Sequence, residues 1–210
     1  MLIAILTALA FVSAVLTILA SSQKRPLTLY LFKPLTIIFI IVIAVQPKHP
    51  VSTFYGYAIL AGLVFSLVGD VFLMLPDEQF IAGLVSFLAA HICYITAFMY
   101  ESGLARSGLD LIPFLLYGAL MLRVLWPHLG KMRAPDIVYM IIILLMGWAA
   151  ASRWLIVGQE GSRLAFIGAV LFIISDSALA IDRFNGRFRS AQLLILSTYF
   201  TAQWLIALST

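Results

Sequence analysis

Gly62-Leu-Val-Phe-Ser-Leu-Val-Gly-Asp70-Val-Phe-Leu-Met-Leu75 is an apolar run broken by a single carboxylate. Further along the chain it has a counterpart, Gly168-Ala-Val-Leu-Phe-Ile-Ile-Ser-Asp176-Ser-Ala-Leu-Ala-Ile181. Runs of this length and apolarity are the material of membrane-spanning helices, because a hydrocarbon core of ~30 Å takes about 20 residues to cross. A carboxylate at that depth costs roughly 2.5–3.5 kcal/mol on insertion scales and by default marks a functional site. Two carboxylates in matching contexts suggest one shared site.

The rest of the chain extends the same pattern. Of 210 residues, 63% are hydrophobic and only 10% charged, which leaves too little polar surface for a water-soluble globule. Apolar runs recur at about residues 2–20, 27–45, 53–75, 79–100, 109–126, 135–157, 163–181 and 190–208. They predict an all-α, polytopic membrane bundle of eight transmembrane helices forming a single transmembrane domain over residues 1–210. A transmembrane barrel needs alternating segments of ~10 residues, and the chain has none. Short connections rich in Pro, Gly, Ser and Asn, such as Ser21-Ser-Gln-Lys-Arg-Pro26 and Asn185-Gly186, separate the runs. The first run lacks the basic start of a signal peptide and is read as the first span. Cys93 is the sole cysteine, so no internal disulfide is available.

Lysines and arginines near helix ends collect on the cytoplasmic side. Loops one, three, five and seven, with the end of helix five, hold Lys24, Arg25, Arg123, Lys131, Arg133, Arg183, Arg187 and Arg189; the other side holds Lys48, Arg106, Arg153 and Arg163. Both termini are therefore expected on the non-cytoplasmic side, in a bacterial inner membrane. Topology and headgroup contact account for the net charge of +4 without a nucleic-acid partner.

Helical rise gives each polar group a depth. Asp70 stands six residues before Pro76 and Asp176 six before Asp182, so each lies roughly 9 Å inside the cytoplasmic end of its helix. Lys33 reaches a similar level, Tyr139 lies about one turn into helix six, and Arg123 closes helix five from the same side. His91 is deeper, about 18 Å along helix four, with Tyr94 beyond it. Plainer readings exist for most of these: Lys33 as a snorkelling cation, Tyr139 and Tyr94 as belt or helix-contact tyrosines, as for Tyr30 and Tyr199, and His91 as a neutral ring bonded to a carbonyl. The aspartate side chains are too short to snorkel. The likeness of the two Asp helices suggests duplication of a four-helix unit in parallel orientation, a 4+4 repeat.

As a set, Lys33-Pro34, Gly69-Asp70, Phe80-Ile-Ala-Gly83 with Ser86-Phe87 and His91-Ile-Cys-Tyr94, and Gly168-Ala169 with Ser175-Asp176 resemble the YhhN-type lysoplasmalogenases, from about helix two to helix eight. The resemblance implies hydrolysis of the vinyl ether bond of lysoplasmalogens, releasing a fatty aldehyde and a glycerophosphoethanolamine or glycerophosphocholine.

The residues suit that chemistry on their own terms. A vinyl ether hydrolyses when an acid protonates its β-carbon, giving an oxocarbenium ion that water attacks. Two nearby carboxylates in low dielectric tend to share one proton, so one serves as acid while the other stabilises the cation and orients water, as in glycosidases. Asp70 and Asp176 are the candidate catalytic pair. Asp176 is the favoured acid because Ser175 and Ser177 flank it. Lys33, Arg123, Tyr139, His91 and Tyr94 are the candidates for substrate contact, the two cations suiting a lipid phosphate. No metal or other cofactor is expected, since His49, His91 and His128 are dispersed. The partners expected are a lysophospholipid substrate and membrane lipids, with oligomeric state left open. The alternative is a proton-coupled transporter using the same carboxylates; it predicts helices broken at equivalent places in both halves, and neither Asp helix contains proline.

Overall fold

The computed structural model describes residues 1–23, 25–46, 49, 51–75, 79–103 and 108–210. Lys24, Lys48 and Arg106, which entered the charge count, and Pro76 lie outside the described residues. Backbone N–H and C=O groups in hydrocarbon must be satisfied within the segment, and helices do this locally. The chain accordingly forms α1 (Leu2–Ser22), α2 (Pro26–Ala44), α3 (Thr53–Met74), α4 (Phe80–Ser102), α5 (Ile112–Leu125), α6 (Arg133–Val157), α7 (Glu160–Ala180) and α8 (Ala191–Leu208). No strand occurs among the described residues.

Local chemistry sets the ends. Pro26 starts α2, where its missing N–H costs nothing. The Ser52 hydroxyl accepts the Tyr55 N–H at 3.1 Å and caps α3. Gly158, at φ +66°, stops α6.

Seven of the eight helices are long and apolar enough to cross a membrane. The exception is α5, whose 14 residues rise only about 21 Å. A 3₁₀ turn at Leu109–Leu111 precedes it, so the fifth of the eight expected runs is in part not α-helix.

The helices close a ring in the order α1, α2, α3, α4, α6, α7, α8, and α8 returns to both α1 and α2. Outside that ring, α5 packs on α6 and on the turn after α7. The α3–α4 and α7–α8 hairpins are the tightest, and small residues explain it. A Cβ on Gly62 would come within 2.2 Å of the Tyr94 ring, and one on Gly168 within 2.9 Å of the Ala202 carbonyl. Close backbone approach through small residues is how helices associate where no hydrophobic effect drives them together.

Polarity is arranged as a bilayer requires. Phe11, Leu31, Leu116 and Leu155 stand exposed on the outside, while Lys33, Asp70, His91, Asp136 and Gln203 are buried within. The chain is an integral membrane protein.

Candidate active site

One cavity of about 700 Å³ is sunk into the end of the bundle where α2, α4, α6 and α8 begin and α3, α5 and α7 finish. That end carries the more basic loops. Lys33 of α2, Asp70 of α3, Phe87 of α4, Tyr139 of α6, Asp176 of α7 and Tyr199 of α8 all line it. Four of the five groups that helical rise puts in one layer, Lys33, Asp70, Tyr139 and Asp176, thus share a wall to which every helix from α2 to α8 contributes.

Asp70 holds two donors. Lys33 Nζ lies 2.9 Å from its Oδ1, and the Tyr199 hydroxyl donates to its Oδ2 at 2.7 Å. With Lys33 9% and Asp70 1% exposed, this is a buried ion pair, and Lys33 does not snorkel. Such a pair gains little over an apolar substitute, but losing one partner strands a charge, which typically costs 3–5 kcal/mol. It therefore argues for a role other than stability.

Asp176 sits in a different hydrogen-bond set. The Tyr139 hydroxyl donates to its Oδ2, and His91 Nε2 lies 2.9 Å from the Tyr139 oxygen and 3.7 Å from that same Oδ2. Because Tyr139 spends its proton on Asp176, its oxygen accepts from His91 Nε2–H, which fixes the imidazole tautomer. His91 Nδ1 is left buried without a hydrogen-bond partner among the described residues. The ring is held edge-on against Phe172, 4.7 Å between centroids. His91, Tyr139 and Asp176 form a line of proton-carrying groups leading from the interior of the bundle to the cavity.

Several expectations need revision. Asp70 and Asp176 line one cavity, but no hydrogen bond joins them among the described residues; each is served by its own tyrosine. The Ser175 hydroxyl donates to the Ile195 carbonyl at 3.0 Å, tying α7 to α8. Ser177 accepts from the Tyr117 hydroxyl at 2.7 Å, tying α7 to α5. Both hydroxyls thus have partners other than the Asp176 carboxylate, so the flanking serines give no support to Asp176 as the acid. Arg123 is exposed on the last turn of α5 and is not part of the cavity wall. Tyr94 is buried away from the cavity and donates to Gln203 Oε1 at 2.7 Å. His91 stands behind the wall and is bonded to a hydroxyl where a carbonyl was expected.

Other wall residues were missed. Tyr199 was grouped with belt tyrosines although it binds Asp70. Asp136, 6% exposed, and Asp182, at the cavity mouth, add two more carboxylates to the wall. The signal for the first was available: Asp136 and Tyr139 are three apart on one helix and share a face. Arg183 and Arg187, counted only for topology, also line the cavity.

Comparison with known proteins identifies the family. Residues 28–210 match the YhhN family. The chain is 29% identical to the membrane protein YhhN of Escherichia coli over 197 residues, 94% of each chain. It is 39% identical to the lysoplasmalogenase TMEM86A of Bos taurus over 167 residues, 77% of this chain and 66% of that one. It is 36% identical to the human lysoplasmalogenase TMEM86B over 155 residues, 74% of this chain and 64% of the other. No solved structure matches the chain. With the family pattern running from α2 to the end of α8, over every helix that lines the cavity, the chain belongs to the YhhN family.

Proposed function

We propose that the protein is a lysoplasmalogenase-type membrane hydrolase, cleaving the vinyl ether of a single-chain glycerophospholipid to a fatty aldehyde and a glycerophosphoethanolamine or glycerophosphocholine. The observation that carries the reading is that Asp70 and Asp176 open onto one cavity at interfacial depth. Relatives named lysoplasmalogenase at 36–39% identity support it.

Asp176 is the acid in this scheme. Its side chain is 15% exposed against 2% for Asp70, so it has surface to offer a substrate. Both Asp70 oxygens are engaged by donors, whereas only one oxygen of Asp176 receives a hydrogen bond. Asp176 gives its proton to the β-carbon, and the resulting oxocarbenium ion is met by the negative field of the carboxylates. Water adds to the cationic carbon and returns a proton to Asp176. The hemiacetal then releases the glycerol hydroxyl and the aldehyde. Tyr139 and His91 hold the Asp176 carboxyl in place and supply a route for that proton. No cofactor takes part in any of these steps.

Topologically we read α5 with its leading 3₁₀ turn as an eighth crossing. The antiparallel match of Phe114 with Gly147 and of Gly118 with Leu144 supports it; so does the hydrogen bond from Ser152 to Asp110 at 2.9 Å. The cavity then opens to the cytoplasmic leaflet of a bacterial inner membrane, with both termini on the far side. A glycine at the start of each Asp-bearing segment, Gly62 against α4 and Gly168 against α8, favours the 4+4 duplication.

The deciding measurement is aldehyde release by purified protein in detergent from 1-alkenyl lysophosphoethanolamine. Wild type should turn over, and Asp176→Asn should fall by about 10²–10⁴-fold, the usual worth of a general acid. Near-wild-type rates in Asp176→Asn would remove that residue from the mechanism, and absence of aldehyde from wild type would remove the reaction.

A further inference from the structure

Lys33 is committed to Asp70 and Arg123 stands outside the cavity, so neither cation first matched to a lipid phosphate is available for one. The deep wall sets three carboxyl groups, Asp70, Asp136 and Asp176, against the single Lys33 cation, and offers an anion no unpaired positive charge. The cationic part of the wall is the turn that follows α7.

That turn is built to hold two arginines over the cavity. The α7 helix widens at its end into a π turn, Ile181–Asn185, closed by the Gly186 N–H on the Ile181 carbonyl at 3.0 Å. Gly186 has φ +144°, a backbone angle that L side chains rarely adopt. The Asp182 carboxylate accepts the Phe188 N–H at 3.1 Å and locks the reversal. Arg183 and Arg187 both line the cavity, and Asn185 and Gln192 add polar groups beside them. The Arg183 guanidinium lies 3.8 Å from the centroid of the Phe80 ring, which also meets Phe184 edge-on. Stacking engages the flat face of a guanidinium while its N–H groups radiate in the plane, the geometry that matches a phosphate. Wide turns of this kind recur at functional sites, where they redirect side chains.

The geometry points to a phosphodiester subsite at the cavity mouth, formed by Arg183 and Arg187, that holds the headgroup phosphate of a single-chain lipid. The inference rests on the proposed hydrolase reading and extends it to substrate selection. Arg183 follows Asp176 by seven residues, roughly 10 Å along the helix axis. A glycerol backbone covers part of that separation and the long arginine side chain, which leans toward the N-terminus of its helix, the rest, leaving the phosphate at the arginines and the first glycerol oxygen at carboxylate depth. The bland role for these arginines is topology and bilayer headgroup contact, which Arg189 would share: it belongs to the same loop, is exposed, and does not line the cavity.

The test separates binding from turnover. Affinities of purified protein in detergent are measured for a non-hydrolysable 1-alkyl lysophosphoethanolamine, for the phosphate-free 1-alkylglycerol and for inorganic phosphate. We expect wild type to bind the lysophospholipid most tightly. Arg183→Gln and Arg187→Gln should each weaken it by about tenfold, the scale of one charge-assisted contact. Their affinity for alkylglycerol should stay within about twofold of wild type, which also verifies the fold. Arg183→Lys should keep part of the affinity, and Arg189→Gln should keep all of it.

Equal weakening for both lipids, no weakening, or an Arg189→Gln loss as large as the others overturns the subsite. Inorganic phosphate binding as tightly as the lysophospholipid overturns its assignment to a lipid. If the binding pattern holds while wild type releases no aldehyde from the alkenyl lipid, the subsite stands and the hydrolase reading falls.

Discussion

Asp70 shows what a buried charge asks of its neighbours. Its carboxylate is covered by Lys33 from the neighbouring α2 and by Tyr199 from α8. Lys33→Met should destabilise the protein by about 3–5 kcal/mol, because it strands the carboxylate beneath the headgroups. Adding Asp70→Asn should recover most of that loss, and a double-mutant cycle of unfolding in detergent measures the coupling. Additive losses would mean the ion pair carries no interaction energy. From the chain alone Lys33 could be a snorkelling cation or a contact for a lipid phosphate, and the structure makes it the partner of Asp70. The choice needed the side chain's direction, and helical spacing gives depth without giving azimuth.

Among the elements, the α7–α8 hairpin carries most of the site's positioning. Gly168 lets α8 approach until the Ala202 carbonyl would lie 2.9 Å from an added Cβ, and the Ser175 hydroxyl on the Ile195 carbonyl fixes the register. Tyr199 on α8 is thereby set against Asp70 on α3. Gly168→Ala should cost about 1–3 kcal/mol, since the obstruction is backbone and cannot rotate away. Thermal unfolding in detergent reads the loss, and an unchanged midpoint would show that the hairpin can open without penalty. At the other end of α7 the π turn leaves the simple helical period. No periodicity in Ile181-Asp-Arg-Phe-Asn185 announced it, because a π turn is selected by packing around it, here Phe184 against Phe80.

At the scale of the whole molecule, polarity is inverted relative to a soluble protein, with apolar side chains outside and ionisable groups around an off-centre cavity. The basic loops and the cavity share one end, so the positive-inside tendency orients the site as well as the chain. In a Cys93→Ser background, single cysteines at exposed Ser190 and Gln159 should label from opposite sides of the membrane. Ser190, at the cavity end, should react from the cytoplasmic side. Labelling of both from one side would overturn the topology proposed above.

The sequence by itself determined that this is a helical membrane protein, where its helices begin and end to within a few residues, and that Asp70, Asp176, Lys33 and Tyr139 share one level of the bundle. Those follow from hydrophobic length, turn residues and a constant rise per residue, all of which are local. Tertiary structure alone decided that Tyr199 binds Asp70, that His91 stands behind Tyr139, that Arg123 faces away and that Arg183 and Arg187 face in. Each of these depends on the rotation of one helix against another, and that rotation is set by glycine contacts and ring packing between residues far apart in the chain.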